Sequence, residues 1–318
     1  MIVTVTPNPS LDRSASLPGP IVRGRVHRLE QVSTVAAGKG VNISRALHGA
    51  GVPTLAVVPA AEHDPLVVGM NQAGLAHVGV SITEPVRINL TVTEPDGTTT
   101  KFNAPGPRLG PAEQQRLEKA VLDAANGAEW VVMTGSLPPG LPDDWYASMV
   151  RRLRGTGVRI GVDTSDAPLR ALGAALPGAA PDLVKPNSAE LAQICGGDGE
   201  ALEAGAARGE VMPVVERARE LVRLGIPTVM VTLGGAGALL VTADAAWHAV
   251  AEPVEVRSTV GAGDSSLAGL LIGLTSGAEP PAALRSAVAW GTAAASLPGS
   301  TIPLPERADG VSVHVTSL

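Results

Sequence analysis

The sequence predicts an α/β fold, built on one large open sheet with a second, smaller sheet set apart from it. Three observations predict it. Short apolar runs rich in β-branched residues alternate with longer stretches of helical period along most of the 318-residue chain. Two stretches, 13–35 and 86–103, lack helical period and instead place Val26, Leu29 and Val32, then Ile88, Leu90 and Val92, among polar residues. Two glycine-rich turns, Gly38-Lys39-Gly40 and Gly261-Ala262-Gly263, open directly onto helical runs. A hydrophobic content of 45% is enough for one large domain, or one with a small appendage.

In chain order, Ile2 to Thr6 is a buried strand ended by Pro7 and Pro9. It delivers Asn8 to Asp12 to the carboxyl end of the sheet, where open α/β sheets bind ligands. Asp12 is placed there to accept hydrogen bonds from hydroxyls, or to serve as a turn aspartate. A helix follows from Lys39 to about Ala50, then the strand Thr54 to Pro59 and a helix over Pro65 to Leu75. Pro95-Asp96-Gly97 reads as a hairpin turn that folds residues 86–103 back on themselves, and pairing with 13–35 makes the small sheet. The core resumes with an amphipathic helix over Pro111 to Ala125, the strand Trp130 to Thr134, a helix over Asp143 to Leu153 and the strand Val158 to Val162. Leu183-Val184 leads into Lys185-Pro186-Asn187 and another helix start. Glu200 to Glu210, rich in Ala, Gly and Glu, reads as a solvated connection. A helix over Val211 to Leu224 and the strand Pro227 to Leu233 lead to the tight turn Gly234 to Gly237 and the strand Ala238 to Thr242. That turn has the wrong spacing for a dinucleotide fingerprint, and a strand follows it rather than a helix, so a nicotinamide dehydrogenase is excluded. A small-residue helix over Pro281 to Ala295 packs behind the last glycine turn, and Val311 to Val315 alternates like a strand.

The chemistry concentrates at helix starts. Glycines at 261 and 263 let successive N–H groups converge in front of a helix, where the macrodipole favours an anion such as a phosphate. Asp264 sets a carboxylate beside that hole, an arrangement suited to phosphoryl transfer to a hydroxyl, although an N-cap aspartate after a glycine turn has the same form. Lys39, flanked by two glycines, offers a point charge for a substrate phosphate, and Asn42 one donor and one acceptor for hydroxyls. Asn187 and Glu190 share a helix face and have the form of a capping box.

Composition excludes other classes. A net charge of −6 with no basic block argues against nucleic-acid and membrane-surface partners, and 2% aromatics leave no stacking platform for single strands. Lysine is scarce, four against twenty arginines, yet Lys39 and Lys185 both fall in motifs. The single Cys195 cannot form an internal disulfide, and a reducing cytoplasm is the expected setting. The six histidines have no metal-ligand spacing. No leader pattern and no membrane span is read.

Ala36-Ala37-Gly38-Lys39-Gly40-Val41-Asn42 and Ser258 to Asp264 resemble the two signatures of the PfkB-type, ribokinase-like carbohydrate kinases. Thr6 to Asp12, Arg87-Ile88-Asn89-Leu90, Gly135 to Gly140 and Lys185-Pro186-Asn187 resemble its phosphosugar branch, closest to 1-phosphofructokinase and tagatose-6-phosphate kinase. The resemblance covers roughly residues 2 to 305 and implies a three-layer α/β/α fold with a mainly parallel sheet. Residues 1–12, 36–85 and 104–318 would form the catalytic core, and 13–35 and 86–103 a β-sheet lid. It implies ATP and Mg²⁺ as cofactors, with Asp264 as catalytic base and Gly261, Ala262 and Gly263 as the anion hole. Asp12, Arg25, Gly38, Lys39, Asn42, Arg87 and Ser136 would bind the phosphosugar. Lys185, Asn187, Thr232, Gly234, Gly237 and Thr259 would bind nucleotide, and Glu190 with Asn187 would hold Mg²⁺ through water. Fructose 1-phosphate is the first acceptor implied, fructose 6-phosphate and tagatose 6-phosphate the next, and a homodimer through the lid is expected. From another class, a catalytically silent sugar-phosphate sensor on the same fold is the competing reading. The chain departs from the family's pattern around Pro59 to Asp64, where relatives are expected to carry more glycine and an acidic residue, at Thr91, where 1-phosphofructokinases tend to have lysine, and at Asp166, where glycine is commoner.

Overall fold

The computed structural model describes residues 1–318. β1 (Ile2–Val5) is followed by β2 (Ser10–Ser16), β3 (Val32–Ala37) and helix α1 (Lys39–Gly49). β4 (Thr54–Pro59), α2 (Pro65–Gln72) and β5 (His77–Val80) come next, then the hairpin β6 (Arg87–Thr93) and β7 (Thr99–Asn103). Helices and strands then alternate: α3 (Pro111–Ala125), β8 (Trp130–Thr134), α4 (Trp145–Leu153), β9 (Arg159–Asp163), α5 (Asp166–Ala174) and β10 (Leu183–Val184). They continue with α6 (Ser188–Cys195), α7 (Gly199–Ala207), α8 (Met212–Arg223) and β11 (Thr228–Thr232). β12 (Ala238–Val241), β13 (Ala246–Ala251), α9 (Ala262–Thr275), α10 (Pro280–Ala295), α11 (Pro305–Asp309) and β14 (Val313–Ser317) complete the chain.

Ten strands form the large sheet in the order β14-β13-β12-β11-β10-β9-β8-β1-β4-β5. From β11 to β5 every pairing is parallel, and β12 to β14 close one edge antiparallel. The parallel strands are apolar on both faces because helices cover both. Val3, Val5, Val131 and Met133 face α3, α4, α6 and α8 in one cluster of 39 buried residues. Their neighbours Ile2, Trp130 and Val132 face α1, α9 and α10 in a second cluster of 24. The period of two along each strand thus feeds two cores and makes the fold three-layered.

The small sheet has the order β3-β2-β6-β7, with β2 and β6 parallel and Asp12 opposite Asn89. It differs from the sequence reading in detail. β2 begins at Ser10 and β3 ends at Ala37, so both cross the boundaries expected at 12 and 36, and Asp12 lies within the small sheet rather than on the tip of β1. Val26 and Leu29 sit in an exposed irregular loop, because Pro18, Gly19, Pro20 and Gly24 punctuate that stretch against strand pairing. Glu200 to Glu210 is not a simple connection. Asp198 caps α7 there, accepting from the N–H groups of Glu200 and Ala201. The alternating tail forms β14, antiparallel to β13 at the sheet edge. β5, β13, α5 and α11 are elements the sequence reading did not identify. Asp166 opens α5 at φ 57, in the left-handed region that glycine occupies without strain.

Candidate active site

The C-terminal ends of the parallel strands converge on one edge, and α1 and α9 point their N-termini at it. Asn8 follows β1, Gly135 and Ser136 follow β8, Asp163 ends β9, Lys185 follows β10 and Thr232 ends β11. This is where an open α/β sheet has its ligand crevice.

Gly261 caps α9 at φ 77 with no side-chain cap, and Ser265 N–H already bonds Gly261 O at 2.8 Å. Ala262 N–H makes a long turn bond of 3.4 Å to Thr259 O, whereas the N–H groups of Gly263 and Asp264 find no acceptor in the chain. Of the three predicted donors, these two are therefore the free ones. Asp264, 6% exposed, is fixed by Asn42 Nδ2, which donates to its Oδ2 at 2.9 Å, and by Lys39 Nζ at 3.3 Å from its Oδ1. Gly38, at φ 115, sends the chain into α1 in the orientation that aims Lys39 and Asn42 at this carboxylate.

Lys39 therefore faces two carboxylates. Its Nζ lies 3.1 Å from Asp163 Oδ2, and Lys185 Nζ lies 3.5 Å from Asp163 Oδ1. Burial alone would lower the Lys39 pKa, but Asp163 and Asp264 outweigh it and hold the ammonium above the ordinary lysine range. Asp163 is fully buried, which would raise its pKa, yet Lys185 and Lys39 together hold it below the usual carboxylate range. Lys185 also reaches the first turn of α9, since a Cβ on Gly263 would lie 3.4 Å from its Nζ. Asp163 thus joins the lysine beside Asp264 to the lysine beside Gly263. The sequence reading passed over it, though an aspartate ending a buried strand at this edge was the available signal.

A second group gathers at the small sheet. Asp12 Oδ1 accepts from Ser10 Oγ at 2.8 Å and from Asn89 Nδ2 at 3.0 Å. Arg87 donates to Ala104 O at 3.0 Å and keeps Nε without a partner, and Arg45 keeps a buried Nη1 likewise. Burial holds both guanidiniums below the ordinary arginine range while Asp12 pulls them back up. Asn89 and Arg45 are additions to the predicted set. Ser136 is exposed, and its Oγ accepts from Asn8 Nδ2 at 3.2 Å. Arg25 is not brought to this group: it is exposed in the loop 17–31, and its guanidinium makes no hydrogen bond or ion pair.

On the third side, Asn187 N–H donates to Glu190 Oε2 at 2.9 Å and Glu190 N–H to Asn187 Oδ1 at 2.8 Å. The capping box is closed, and Glu190 Oε1 is left without a hydrogen bond. Burial holds Glu190 above the usual carboxylate range. Thr232 bridges Asn187 in parallel register, and Gly234 and Thr259 are exposed. Gly237 is explained by packing, because a Cβ there would lie 1.9 Å from Ala249 O. No three His, Cys, Asp or Glu side chains gather as a metal cage.

The family model described as the pfkB family carbohydrate kinases matches residues 11–307. The chain belongs to that family. Among relatives of this kinase is the 1-phosphofructokinase of Rhodobacter capsulatus, 33% identical over 99% of this chain and 96% of the relative. Among solved structures, phosphofructokinase-2 from Escherichia coli in complex with potassium superposes with a TM-score of 0.87 at 30% identity, over 97% of this chain and 96% of that one. Ribokinase from Thermotoga maritima shares the fold, with a TM-score of 0.74 at 17% identity over 97% and 98% of the two chains. The kinase is thus an ATP-dependent sugar kinase. None of its helices is long and apolar enough to cross a membrane.

Proposed function

We propose that this kinase phosphorylates fructose 1-phosphate at its free primary hydroxyl, giving fructose 1,6-bisphosphate and ADP. The observation that carries the reading is Asp264, a buried carboxylate with a fixed orientation, in the first turn of a helix whose N-terminus has no side-chain cap. The hydroxyl oxygen attacks the γ-phosphorus of ATP, its proton passes to the Asp264 carboxylate, and ADP leaves. The free N–H groups of Gly263 and Asp264, with Lys185 beside them, stabilise charge on the transferring group. Lys39 keeps 38% of its side chain exposed, so the sugar's phosphate can reach its ammonium while Asp163 holds it in place. Asp12, Asn89 and Arg87 serve the sugar from the small sheet, which acts as a lid that excludes water.

Mg²⁺ fits the residues present, because Glu190 Oε1 is uncommitted while Asn187 Oδ1 is consumed by the cap. Glu190 would hold the ion through water, and Mg²⁺ supplies neutralising charge on the triphosphate. Ile21, Val22, Val26, Val32, Ile88 and Phe102 expose apolar surface around the small sheet, which supports a homodimer through the lid. The single Cys195, with no second cysteine to pair with, suits a reducing cytoplasm.

The deciding experiment measures initial rates of ADP formation with Mg-ATP and, separately, fructose 1-phosphate, fructose 6-phosphate, tagatose 6-phosphate and fructose. A kcat/KM at least about tenfold higher for fructose 1-phosphate is expected. A lead for either 6-phosphate overturns the acceptor but keeps the mechanism. Tight phosphosugar binding without turnover overturns both and favours a sensor.

A further inference from the structure

Where the small sheet meets the core, the stretch Pro59 to Asp64 ends in a buried carboxylate. Asp64 is 4% exposed, and both its carboxylate oxygens are used. Oδ1 accepts from Leu66 N–H at 2.8 Å and so caps α2, and Oδ2 accepts from Val86 N–H at 3.0 Å. Val86 immediately precedes Arg87, the first residue of β6. One carboxylate therefore ties the helix after β4 to the root of a small-sheet strand.

Packing converges on the same junction. A separate cluster of eight buried apolar residues contains Leu11 of β2, Val41 of α1, Val58 of β4, Leu66 and Met70 of α2, and Val86. Ala36 of β3 packs against it, and a Cβ on Gly69 would lie only 3.0 Å from Ala36 Cβ, so α2 presses closely on β3. Three of the four small-sheet strands thus root in one apolar cluster that both core helices share, and the Asp64 carboxylate adds a directional polar bond to it. Apolar contacts let strands slide, whereas a charge-assisted hydrogen bond to one N–H sets a register.

We propose that Asp64 is a positioning residue for sugar binding: by fixing the root of β6 it sets where Arg87 and Asn89 stand against Asp12. This rests on the phosphosugar reading for its kinetic consequence, but not for its structural one. Asp64→Asn and Asp64→Ser both keep a good N-cap for α2. Neither can also accept from Val86 N–H: the asparagine turns an NH₂ toward it, and the serine hydroxyl is too short.

The test uses the full-length protein. Hydrogen exchange of peptides covering 86–93 should accelerate by about tenfold or more in both variants, with α1 unchanged. KM for the phosphosugar that the wild-type protein turns over should rise roughly 5- to 20-fold, with kcat and the KM for ATP within about twofold. Unchanged exchange in 86–93 would refute the tether. Faster exchange with unchanged KM would refute the positioning role, as would equal losses in both substrates' KM. Because exchange needs no substrate, an error in the acceptor's identity would show as absent wild-type turnover and leave that arm standing.

Discussion

The starts of α9 and α6 lie on the same sheet edge and read alike in the sequence, each a helix opening with an acidic residue in its first turn. They are built in opposite ways. α6 carries a side-chain cap: Asn187 and Glu190 exchange two hydrogen bonds, so the Glu190 N–H of its first turn is met by the Asn187 side chain. α9 has a left-handed glycine at its cap, no side-chain cap, and two N–H groups with nothing to bond. Its acidic residue, Asp264, bonds away from its own helix, to Lys39 and Asn42 of α1. A capped terminus is a structural joint with one carboxylate oxygen to spare, whereas an uncapped one holds its unmet hydrogen bonds ready for a ligand.

The strongest way to break this contrast is Asp264→Asn, which preserves shape and removes the base. It should lower kcat on the order of 10²-fold or more with little change in melting temperature, as steady-state rates and a thermal scan would show. If activity survives, Asp264 is a structural partner of Asn42 and Lys39 and not the base. At α6 the two members of the box should separate stability from metal dependence. Asn187→Ala should cost about 1 kcal/mol, about 1–2 °C of melting temperature in a chain of this length, through the lost cap. Glu190→Gln should keep the box and the melting temperature, while raising the Mg²⁺ concentration needed for half-maximal rate.

The smallest effect sharpens the charge link between the two lysines. Asp163 has a folded pKa below its unfolded value, so its contribution to stability is present above about pH 4 and is lost as pH falls through the folded value. Lys39 has a raised folded pKa, so its contribution is complete below about pH 10 and is lost only above that. The melting-temperature gap between the wild-type protein and Asp163→Asn should therefore stay level from about pH 5 to pH 9 and narrow below about pH 4. A gap that widens in acid would contradict the assigned pairing.

Much of the fold was legible because apolar period and punctuation coincide in it. Pro111–Ala125 and Trp130–Thr134 match their predicted bounds, since each is a clear periodic run between glycine or proline breaks. Val26 and Leu29 misled because apolar residues spaced among arginines and glycines have no partner strand there. Asp163 and Asp64 were not singled out for a comparable reason: an isolated aspartate carries no pattern, and what distinguishes each is a partner 124 or 22 positions away.

By itself, the sequence determined the helix starts, the glycines that free their donors, the alternation that makes an α/β sheet, and the motifs that place the chain among carbohydrate kinases. These are local properties, written in spacings of two to four residues. Only the tertiary structure decided that Lys39 faces Asp163 and Asp264, that Glu190 is half spent on a cap, and that Arg25 stands apart. Those outcomes depend on which donors burial leaves unsatisfied, and burial is a property of the packed chain.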